Sequence, residues 1–424
     1  MKVADIGSGG REHAIVKKLK ESKKITKLYV IPGNGGIAKD AECVPFAVTE
    51  TDKITGFIKE NDIEFVVVTP DDPLVAGLVD EINAIGVPCF GPDKKAAAIE
   101  GSKVFSKNLM KKYNIPTAAY EVFTDMNAAL EYIKTAPLPT VIKADGLALG
   151  KGVIIAETRD DAVNAVKSMM QDKVFGDSGN QIVIEEFLTG PEASVLAFTD
   201  GKTLVPMVSA MDHKRALDND KGLNTGGMGT IAPNPYYTDE IAKTCMDSIF
   251  MPTINAMQKE GRPFKGCLFF GLMMTPTGPK VIEYNCRFGD PETQVVLPLL
   301  ESDLFEIMLA CANGTLDKIE VKFKSGAACC VIMASNGYPQ KYESGFPITV
   351  DDDINAQLYY AGAKIKDDTV VSAGGRVLGV TATADTLENA VTKAYGETEK
   401  VHFANAYKRS DIGKRALAAL KTEE

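Results

Sequence analysis

Three polar residues alternate along one strand-like segment and could together act on a phosphoryl group. Glu283, Asn285 and Arg287 are two residues apart, so on an extended strand their side chains project to one face. Two oxygen ligands on one face can hold Mg²⁺ between the protein and nucleotide phosphates, and the guanidinium could grip the group being transferred. A surface strand with mixed polar residues is the alternative. Apolar Cys286 and Phe288 occupy the other face, which favours a polar face turned toward a cavity or solvent.

A glycine-rich hairpin tip follows Lys143 and could cover the phosphates of a nucleotide. It contains Gly146, Gly150 and Gly152, with Lys151 between the last two. Glycines permit a mobile loop whose amides can fold over a triphosphate, and the two lysines would neutralise its charge. A flexible hairpin with solvated lysines explains the same residues, so both interpretations stay open.

The end of a buried strand offers a place for an adenine ring. The run Glu185-Glu186-Phe187-Leu188 ends such a strand, where a backbone C=O and N–H can face a base. Glu192, just past a Gly-Pro turn, could accept both hydroxyls of a ribose. A charged strand end that is simply solvated is the alternative.

The first glycine-rich turn argues against a nicotinamide site. Gly7-Ser8-Gly9-Gly10-Arg11-Glu12 begins like the fingerprint G-x-G-x-x-G, but its third glycine position holds Glu12. The second strand is followed by Pro32-Gly33 rather than by the acid that reads the ribose. Exposed amides at a helix N-terminus beside Arg11 suit a phosphate, and a purely structural tight turn is the alternative. Asp5, in the middle of the preceding strand, receives no role.

The elements that must position these residues begin with a strand-helix alternation over the first hundred residues. This alternation predicts a doubly wound parallel sheet, in which ligands bind beyond the carboxyl ends of the strands. Short strands are predicted at Val3–Ile6, Leu28–Ile31, Phe65–Thr69 and Pro88–Phe90, and helices at His13–Lys20, Thr51–Glu60 and Pro73–Ile85. Later elements are predicted as helices at Gly101–Tyr113, Asp160–Met170 and Asp239–Glu260, strands at Thr140–Lys143, Gly152–Ala156, Gln181–Phe187, Cys329–Ala334 and Val377–Thr383, and a last helix with Asp385 as its N-cap.

Composition excludes several classes of function. The chain has 424 residues, enough for two to four domains, and a formal net charge of −10 without a long basic run, which disfavours nucleic acid as a partner. No apolar segment is long enough to cross a membrane. Eight cysteines without a CxxC pair indicate a reducing, cytoplasmic compartment, and three separated histidines argue against zinc. For His213 a packing role is expected, with direct catalysis as the alternative.

Taken together, nine segments resemble the ATP-grasp superfamily and, very closely, its phosphoribosylamine–glycine ligase (glycinamide ribonucleotide synthetase) family. They run collinearly over most of the chain, and the last four are highly specific. The segments are GSGGREHA (7–14), PGN (32–34), EGSK (100–103), IPTA (115–118), VIKADGLALGKGV (141–153), EEFLTGPEAS (185–194), DHKRA (212–216), NTGGMG (224–229) and EYNCRFGDPETQ (283–294).

The resemblance implies an α/β and α+β multidomain fold. An N-terminal Rossmann-like domain would span 1–103, an ATP-grasp domain 104–326 with a mobile lid at 117–190, and a closing C-terminal domain 327–424. It also implies the reaction: ATP phosphorylates the glycine carboxylate, and 5-phosphoribosylamine attacks the glycyl phosphate to give glycinamide ribonucleotide, ADP and phosphate in purine biosynthesis. Mg²⁺ or Mn²⁺ would assist, and a monomer or weak homo-oligomer is expected.

The resemblance also assigns roles to individual residues. Catalytic roles fall to Arg287, Lys143 and Lys103. The nucleotide would be held by Lys103, Lys143, Gly146, Gly150, Lys151, Gly152, Glu185, Glu186, Leu188 and Glu192. The metal ligands would be Glu283 and Asn285, since the preceding strand (268–272) carries no carboxylate. Substrate contacts are implied for Gly9, Gly10, Arg11, Pro32, Gly33, Asn34, Asp71, Asp212, Lys214, Asn224, Thr225, Gly226, Gly227, Met228 and Asp290.

Three competing interpretations remain. A different ATP-grasp ligase, such as a carboxylase of aminoimidazole ribonucleotide or a biotin-carboxylase-like enzyme, is disfavoured by the NTGGMG and RFGDPETQ segments. A nicotinamide oxidoreductase is disfavoured by Glu12. A non-catalytic nucleotide-binding module is disfavoured because the lid, the metal pair and the arginine are all intact.

Overall fold

The computed structural model describes residues 1–147 and 152–421. Its first hundred residues form a five-stranded parallel sheet with flanking helices, as the alternation predicts. The elements are β1 (Lys2–Gly7), α1 (Gly10–Leu19), β2 (Lys27–Pro32), β3 (Glu42–Cys43), α2 (Thr51–Glu60), β4 (Phe65–Val68), α3 (Asp71–Ala76), α4 (Leu78–Ala84), β5 (Cys89–Phe90) and α5 (Lys94–Gly101). The order β3-β2-β1-β4-β5 places β1 at the centre, so the glycine-rich turn after it opens at the middle of the sheet.

Two predicted helices differ from the structure: one is divided in two, and the other begins later than predicted. The predicted helix at 73–85 is α3 and α4, which are separated by Gly77 in a left-handed conformation with φ +102°. The helix predicted from Gly101 begins instead at Lys103, as α6 (Lys103–Lys112). Ser102 is its N-cap, because its hydroxyl accepts a hydrogen bond from the Phe105 amide.

The predicted lid region forms a small antiparallel layer with helices on one side. Its elements are β6 (Tyr120–Phe123), α7 (Met126–Ile133), β7 (Thr140–Ala144), β8 (Val153–Ala156), α8 (Arg159–Met170) and β9 (Ile182–Glu186), with strand order β6-β9-β7-β8. It has a hydrophobic core of its own, in which Ile142 and Ile184 pack against Val166 and Met169. Gly150 and Lys151, assigned above to the nucleotide, lie outside the described residues.

The central part is a four-stranded antiparallel sheet that carries the metal-ligand candidates. The elements are β10 (Glu192–Thr199), β11 (Leu204–Pro206), β12 (Met211–Asp212), β13 (Arg215–Leu217), β14 (Lys221–Asn224), β15 (Gly229–Ala232), α9 (Asp239–Cys245), α10 (Met251–Lys259), β16 (Gly266–Thr275), β17 (Gly278–Asn285), α11 (Thr293–Leu299) and α12 (Leu304–Asn313). The sheet has the order β11-β10-β16-β17. A π-helical turn at Met246–Phe250 joins α9 to α10, so the long predicted helix exists with one local irregularity.

The C-terminal part is built on an antiparallel sheet that also takes strands from the centre of the chain. Its elements are β18 (Ala327–Ser335), β19 (Thr349–Val350), β20 (Gln357–Tyr360), β21 (Ala363–Lys366), β22 (Thr369–Ser372), β23 (Arg376–Ala384), α13 (Leu387–Thr398), β24 (Val401–His402), β25 (Ala406–Tyr407) and α14 (Lys414–Leu420). The order β12-β15-β18-β23-β20 shows that β12 and β15 pair into this sheet. The predicted N-cap of α13 is off by one residue, because Thr386 rather than Asp385 accepts from the Asn389 amide.

Large buried clusters join the parts into one body. One cluster links β1 and β4 of the N-terminal sheet to Phe270 and Tyr284 of the central sheet. Another packs α1 against Val295 and Val296 of α11 and Ile332 of β18. These contacts hold the turn after β1, the central sheet and the C-terminal sheet side by side. None of the helices in 1–147 and 152–421 is both long and apolar enough to cross a membrane.

Candidate active site

Strand β17 presents its polar side chains as the two-residue alternation predicts. Tyr284 and Cys286 are buried, whereas Glu283 and Asn285 are half-buried on the other face. The strand bulges just before Glu283, which then pairs with Gly271 of β16. A Cβ at Gly271 would lie 3.1 Å from the Glu283 Cγ, so the glycine leaves room for that carboxylate. No hydrogen bond or ion pair joins either oxygen-bearing side chain, Glu283 or Asn285, to another of the described residues.

Two lysines from different elements reach this strand. Lys103, at the start of α6, donates to the Gly146 carbonyl at 2.7 Å. Lys143, on β7, donates to the Ile282 carbonyl at 3.2 Å. Burial lowers the pKa of Lys103, and the negative charge of Glu283 acts in the opposite direction. The structure therefore brings both predicted phosphate-binding lysines and the first predicted metal ligand into one cleft.

A third lysine, which the sequence did not single out, completes this cationic wall. Lys107 lies one helical turn after Lys103, and its ammonium is 3.0 Å from Glu185 Oε2. Lys143 shares the same carboxylate oxygen at 3.1 Å. Burial would raise the pKa of Glu185, but the two ammonium groups bring it below its usual value. Burial lowers the pKa of Lys107 to about 8. The Glu185 side chain thus positions two lysines, while the predicted adenine contact concerns only its backbone.

The strand end predicted to face adenine has some of its groups already bonded. Glu186 donates its backbone N–H to the Ala119 carbonyl at 2.8 Å, and its carboxylate lies 3.5 Å from Lys280. Leu188 has no backbone hydrogen bond to another of the residues that the structure describes. Glu192 accepts from Lys214 at 2.9 Å, and that positive charge lowers the pKa of Glu192. The two residues, predicted for ribose and substrate, form one ion pair.

Arg287 is held by carboxylates from two other elements. Its guanidinium is 3.0 Å from Glu100 Oε1 and 3.9 Å from Asp71 Oδ2. Glu100 also accepts from the Cys286 amide at 2.7 Å, so it fixes both the backbone and the side chain of this segment. The Arg287 Nε is buried and makes no hydrogen bond to a described residue. One edge of the guanidinium is therefore anchored, and Nε is left for another acceptor.

Two carboxylates near Lys214 interact with each other: Glu292 is buried and Asp212 is half-buried. Burial raises the pKa of both Asp212 and Glu292, and the charge of Glu292 adds to the effect on Asp212. Glu292 accepts from Ser194 at 3.0 Å. Gly227 lies directly over this pair: its φ is +115°, and a Cβ there would be 2.6 Å from Asp212 Oδ1. Among the positive charges that lower the pKa of Asp212, Lys214 has the largest effect.

The loop at 224–229 is clamped by the C-terminal part of the chain. Arg376 donates to the carbonyls of Gly226 and Asp290, both at 2.8 Å. The Gly226 amide donates to the Tyr338 hydroxyl at 3.2 Å. Thr225 is tied back to the Lys214 carbonyl, whereas Asn224 ends β14 as an exposed residue. The position of the loop therefore depends on side chains more than a hundred residues away.

Met228 does not line the site, and its predicted substrate contact is corrected. Its side chain is fully buried in the C-terminal core. Its N–H donates to the His213 carbonyl and its own carbonyl accepts from Ile332, so both backbone groups are used. The residue anchors the loop. His213 is also structural: its Nδ1 meets the Gly229 carbonyl at 3.1 Å and its Nε2 accepts from the Gly413 amide at 3.1 Å.

The first glycine-rich turn has carboxylates at the amides proposed for phosphate. The Gly9 amide donates to Glu12 Oε2 at 2.6 Å, and the Arg11 amide donates to Asp290 Oδ2 at 3.3 Å. Arg11 itself pairs with Glu12 at 2.6 Å. A Cβ at Gly10 would lie 2.8 Å from the Gln294 amide nitrogen. These contacts use the Gly9 and Arg11 amides within the protein, and they explain why Glu12 stands where a nucleotide fingerprint has glycine.

Asn34, which the resemblance assigns to the substrate, has a side chain that is fully hydrogen-bonded within the protein. Its amide nitrogen donates to the carbonyls of Ser8 and Tyr360, both at 2.8 Å. Its amide oxygen accepts from the Gly36 and Ile37 N–H groups. The amide nitrogen therefore joins the turn after β1 to the C-terminal sheet, and the amide oxygen holds the loop that contains Asn34 itself. Neighbouring Gly33, with φ +71°, packs so closely on Cys43 that a Cβ would lie 2.3 Å from its sulfur. Pro32 ends β2 beside Gly7.

Four charged residues at the site were missed by sequence reasoning. Three of them could have been found from the sequence. Glu100 and Glu292 lie inside segments that carry the family resemblance, and Lys107 follows Lys103 by four residues on the same helix face. No sequence pattern pointed to Arg376, because only the pairing of β23 with β18 brings it to the loop at 224–229. The residues missed are Glu100, Lys107, Glu292 and Arg376.

Comparisons with known proteins identify the family. Three family models match in order: the phosphoribosylglycinamide synthetase N domain over residues 1–100, its ATP-grasp (A) domain over 101–293 and its C domain over 328–415. The phosphoribosylamine–glycine ligase of Clostridium acetobutylicum is 46% identical over 414 residues, which cover 98% of this chain and 100% of the relative.

Among solved structures, a member of the same family is similar in both sequence and fold, whereas a more distant protein is similar in fold alone. The crystal structure of the phosphoribosylamine–glycine ligase of Thermotoga maritima matches with a TM-score of 0.87 and 36% identity, covering 97% of this chain and all of that one. The biotin carboxylase domain of the 2-oxoglutarate carboxylase of Hydrogenobacter thermophilus has a TM-score of 0.75 at 16% identity, covering 96% and 91%, and shares the fold alone. The expected fold class and family are thereby confirmed. The chain belongs to the phosphoribosylglycinamide synthetase family, the phosphoribosylamine–glycine ligases of the ATP-grasp superfamily.

Proposed function

We propose that the chain joins glycine to 5-phosphoribosylamine with ATP, through glycyl phosphate, and releases glycinamide ribonucleotide, ADP and phosphate. The observation that carries this proposal is the meeting of Glu283 with Lys103 and Lys143 in one cleft beside the Glu192–Lys214 pair. Phosphorylation of a carboxylate needs cations on the γ-phosphate and a separate place for the acid. Lys103 and Lys143 would supply the cations, and we assign the acid to the side of Lys214. The family membership supports the same reaction.

Phosphoryl transfer is assigned to the lysine side of the cleft. Lys103 and Lys143 neutralise the phosphates, and the anchored Arg287 stabilises the charge that develops on the transferring group. Glu283 and Asn285 offer hard oxygen ligands that fit Mg²⁺ or Mn²⁺, and neither is used by another described residue. A bound divalent metal would supply charge neutralisation on the phosphates. The other proposed nucleotide contacts are Gly146, Gly152, the backbone of Glu185, Glu186 and Leu188, and a hydroxyl contact to Glu192.

Amide formation is assigned to the carboxylate side. The amine of phosphoribosylamine attacks the acyl carbon, the C–O bond to phosphate breaks, and the amine loses a proton. The raised pKa of Asp212 or Glu292 suits a group that accepts this proton. Lys214 and the loop at 224–227 would orient the reacting groups, while Asp71 and the turn with Gly9, Gly10 and Arg11 would face the sugar phosphate.

The layer at 117–190 is proposed to close over the nucleotide and keep water from the acyl phosphate. It has its own core, which allows it to move as a unit. We propose residues 1–103, 104–326 and 327–424 as the three functional domains. Strands β12 and β15 of the second domain join the sheet of the third through the pairing of β15 with β18. We further propose a cytoplasmic location, which the eight free cysteines support, and a monomer or weak homo-oligomer.

The experiment is an ADP-release assay with purified chain across matched acids and amines. Glycine with phosphoribosylamine is expected to give ADP at a rate at least tenfold above alanine, bicarbonate or either substrate alone. Release of ADP with bicarbonate but not with glycine would overturn the proposal in favour of a carboxylase.

A further inference from the structure

A second cavity, of about 640 Å³, lies where the N-terminal, central and C-terminal parts meet. Its walls come from α1, from the end of α11 and from β20, β23 and α13. It contains none of the residues assigned above to ATP, metal or substrate. Its charged lining is strongly basic, with five lysines and two carboxylates: Lys17, Lys18, Lys20, Lys324, Lys393, Glu21 and Asp40.

Both carboxylates are already used. Glu21 is 2.7 Å from the Lys18 ammonium, and Asp40 is 2.7 Å from that of Lys20. Asp40 also contacts His13 at 3.0 Å. Within 1–147 and 152–421, no carboxylate lies within 4.0 Å of the ammonium groups of the other three lysines. We call Lys17, Lys324 and Lys393 the unpaired lysines. They concentrate positive charge in a chain whose net charge is −10.

The positive charge of Lys17 is energetically unfavourable at its position in the cavity. Its ammonium lies 5.8 Å from the centre of the Tyr359 ring, on the floor of the cavity. Burial lowers the pKa of Lys17, and the charges of Lys20 and Lys39 lower it further against the opposing effect of Asp40. An anion in the cavity would offset both the desolvation and the repulsion.

We infer that this cavity binds a small, multiply charged phosphate-bearing anion. Its volume lies in the usual range of small-molecule sites, roughly 300–1,000 Å³. Three ammonium groups from separate elements match a ligand with several negative oxygens better than a single carboxylate, and lysine binds phosphate as a point charge. Asn355, Gln357 and Thr383 add neutral polar groups to the wall.

Such a ligand would connect the three parts of the chain at a distance from the chemistry. Helix α1 starts at the turn beside Asp290 and reaches Lys17 seven residues later, about 10 Å along its axis. Helix α11 starts near Gln294, which donates to Asp290 at 2.7 Å, and ends at the cavity. Occupancy of the cavity is therefore expected to stabilise the packing of α1 and α11 against the C-terminal sheet.

The test uses the full chain and three probes: inorganic phosphate, pyrophosphate and adenosine monophosphate. Lysines are acetylated with acetic anhydride with and without each probe, and modification is read at each site by mass spectrometry. Pyrophosphate is expected to reduce acetylation of the unpaired lysines at least threefold. Exposed Lys23, Lys341 and Lys366 should change little. Stronger protection by adenosine monophosphate than by pyrophosphate would identify a nucleotide as the ligand. Stronger protection by pyrophosphate would identify an inorganic or sugar phosphate.

A matched pair of triple variants completes the test. Lys17→Gln/Lys324→Gln/Lys393→Gln should weaken pyrophosphate binding at the protected site at least tenfold by calorimetry. Lys23→Gln/Lys341→Gln/Lys366→Gln, with the same change of net charge, should bind as the parent does. Equal protection of all six lysines, or equal affinity of the two variants, would overturn the inference. Ligase turnover is measured separately, so either result leaves the proposed function untouched.

Discussion

Replacing Asp5 should make the protein more stable, because this carboxylate is buried without a partner. Asp5 lies in the central strand β1 between Val30 and Val67, and it is 0% exposed. Neither carboxylate oxygen has a hydrogen-bond partner among the described residues. Burial raises the pKa of Asp5 well above its usual value, and the charge of Glu12 raises it further. The Arg11 guanidinium and the Ile6 amide act in the opposite direction, and less strongly.

The expected gain has two parts that two substitutions separate. Burying an unbonded polar group costs about 1–3 kcal/mol, and Asp5→Val removes that cost with a side chain of similar size. The raised pKa adds a cost at higher pH, because the unfolded chain loses its proton first. Stability of the parent therefore falls as pH rises from about 4 towards the raised pKa, by roughly 1.4 kcal/mol per unit. Asp5→Asn removes only this second part.

The assay is urea unfolding at pH 4.5, 6 and 7.5. The chain contains no Trp, so unfolding is followed by far-ultraviolet circular dichroism. Asp5→Val should raise the midpoint at every pH, by roughly 0.3–1 M urea for a gain of 1–3 kcal/mol at an m value of about 3 kcal/mol/M. Asp5→Asn should become more stable than the parent only as pH rises. An Asp5→Val variant less stable than the parent at pH 7.5 would refute the reasoning and show that the carboxylate has a stabilising partner.

Three further predictions concern the site. Glu283→Gln should abolish most metal-dependent turnover and leave the melting temperature within about 2 °C, and near-parent turnover at limiting Mg²⁺ would contradict the metal assignment. Gly227→Ala should lower both stability and turnover because its Cβ would meet Pro291 and Asp212, whereas Gly278→Ala, at a similar φ of +111° but in open space, should keep turnover. The pKa of His213 is lowered by burial to about 4, so the free energy of unfolding should fall by about 3 kcal/mol from pH 6.5 to pH 4. In urea unfolding, His213→Asn should make this decrease smaller. The substitution of an exposed histidine, His402→Asn, should leave the decrease unchanged.

Local patterns in the sequence predicted many of the helices and strands and the face that Glu283 and Asn285 share. The alternation predicted that Glu283 and Asn285 share one face of β17, since a strand turns every second residue the same way. Arg287 lies beyond the end of β17 at Asn285, so the alternation did not place it. The break at Gly77 was missed because apolar periodicity continues through it, and the start of α6 was predicted two residues early, at Gly101. Ser102 had a recognisable capping residue type, and a left-handed glycine inside a helix pattern leaves only a weak signal.

Long-range contacts account for what the sequence could not predict. Arg376 reaches Gly226 across 150 residues, and Asn34 reaches Tyr360 across 326. Such contacts depend on the sheet that joins β12 and β15 to β18, whose order no periodicity encodes. Met228 was assigned to substrate because its neighbours are glycines in a specific motif, yet an apolar side chain beside a site more often anchors the loop in the core.

The central claim is that a carboxylate of glycine attacks the γ-phosphorus of ATP in the cleft of Lys103, Lys143, Glu283 and Arg287. The most direct measurement uses glycine labelled with ¹⁸O in its carboxylate, together with phosphoribosylamine and ATP, and analyses the released phosphate by mass spectrometry. Formation of glycyl phosphate leaves one labelled oxygen bridging carbon and phosphorus, and amide formation releases it with the phosphate. One ¹⁸O per phosphate, in proportion to the amide formed, is the predicted result. Productive turnover with unlabelled phosphate would contradict the acyl-phosphate route and this assignment of the cleft.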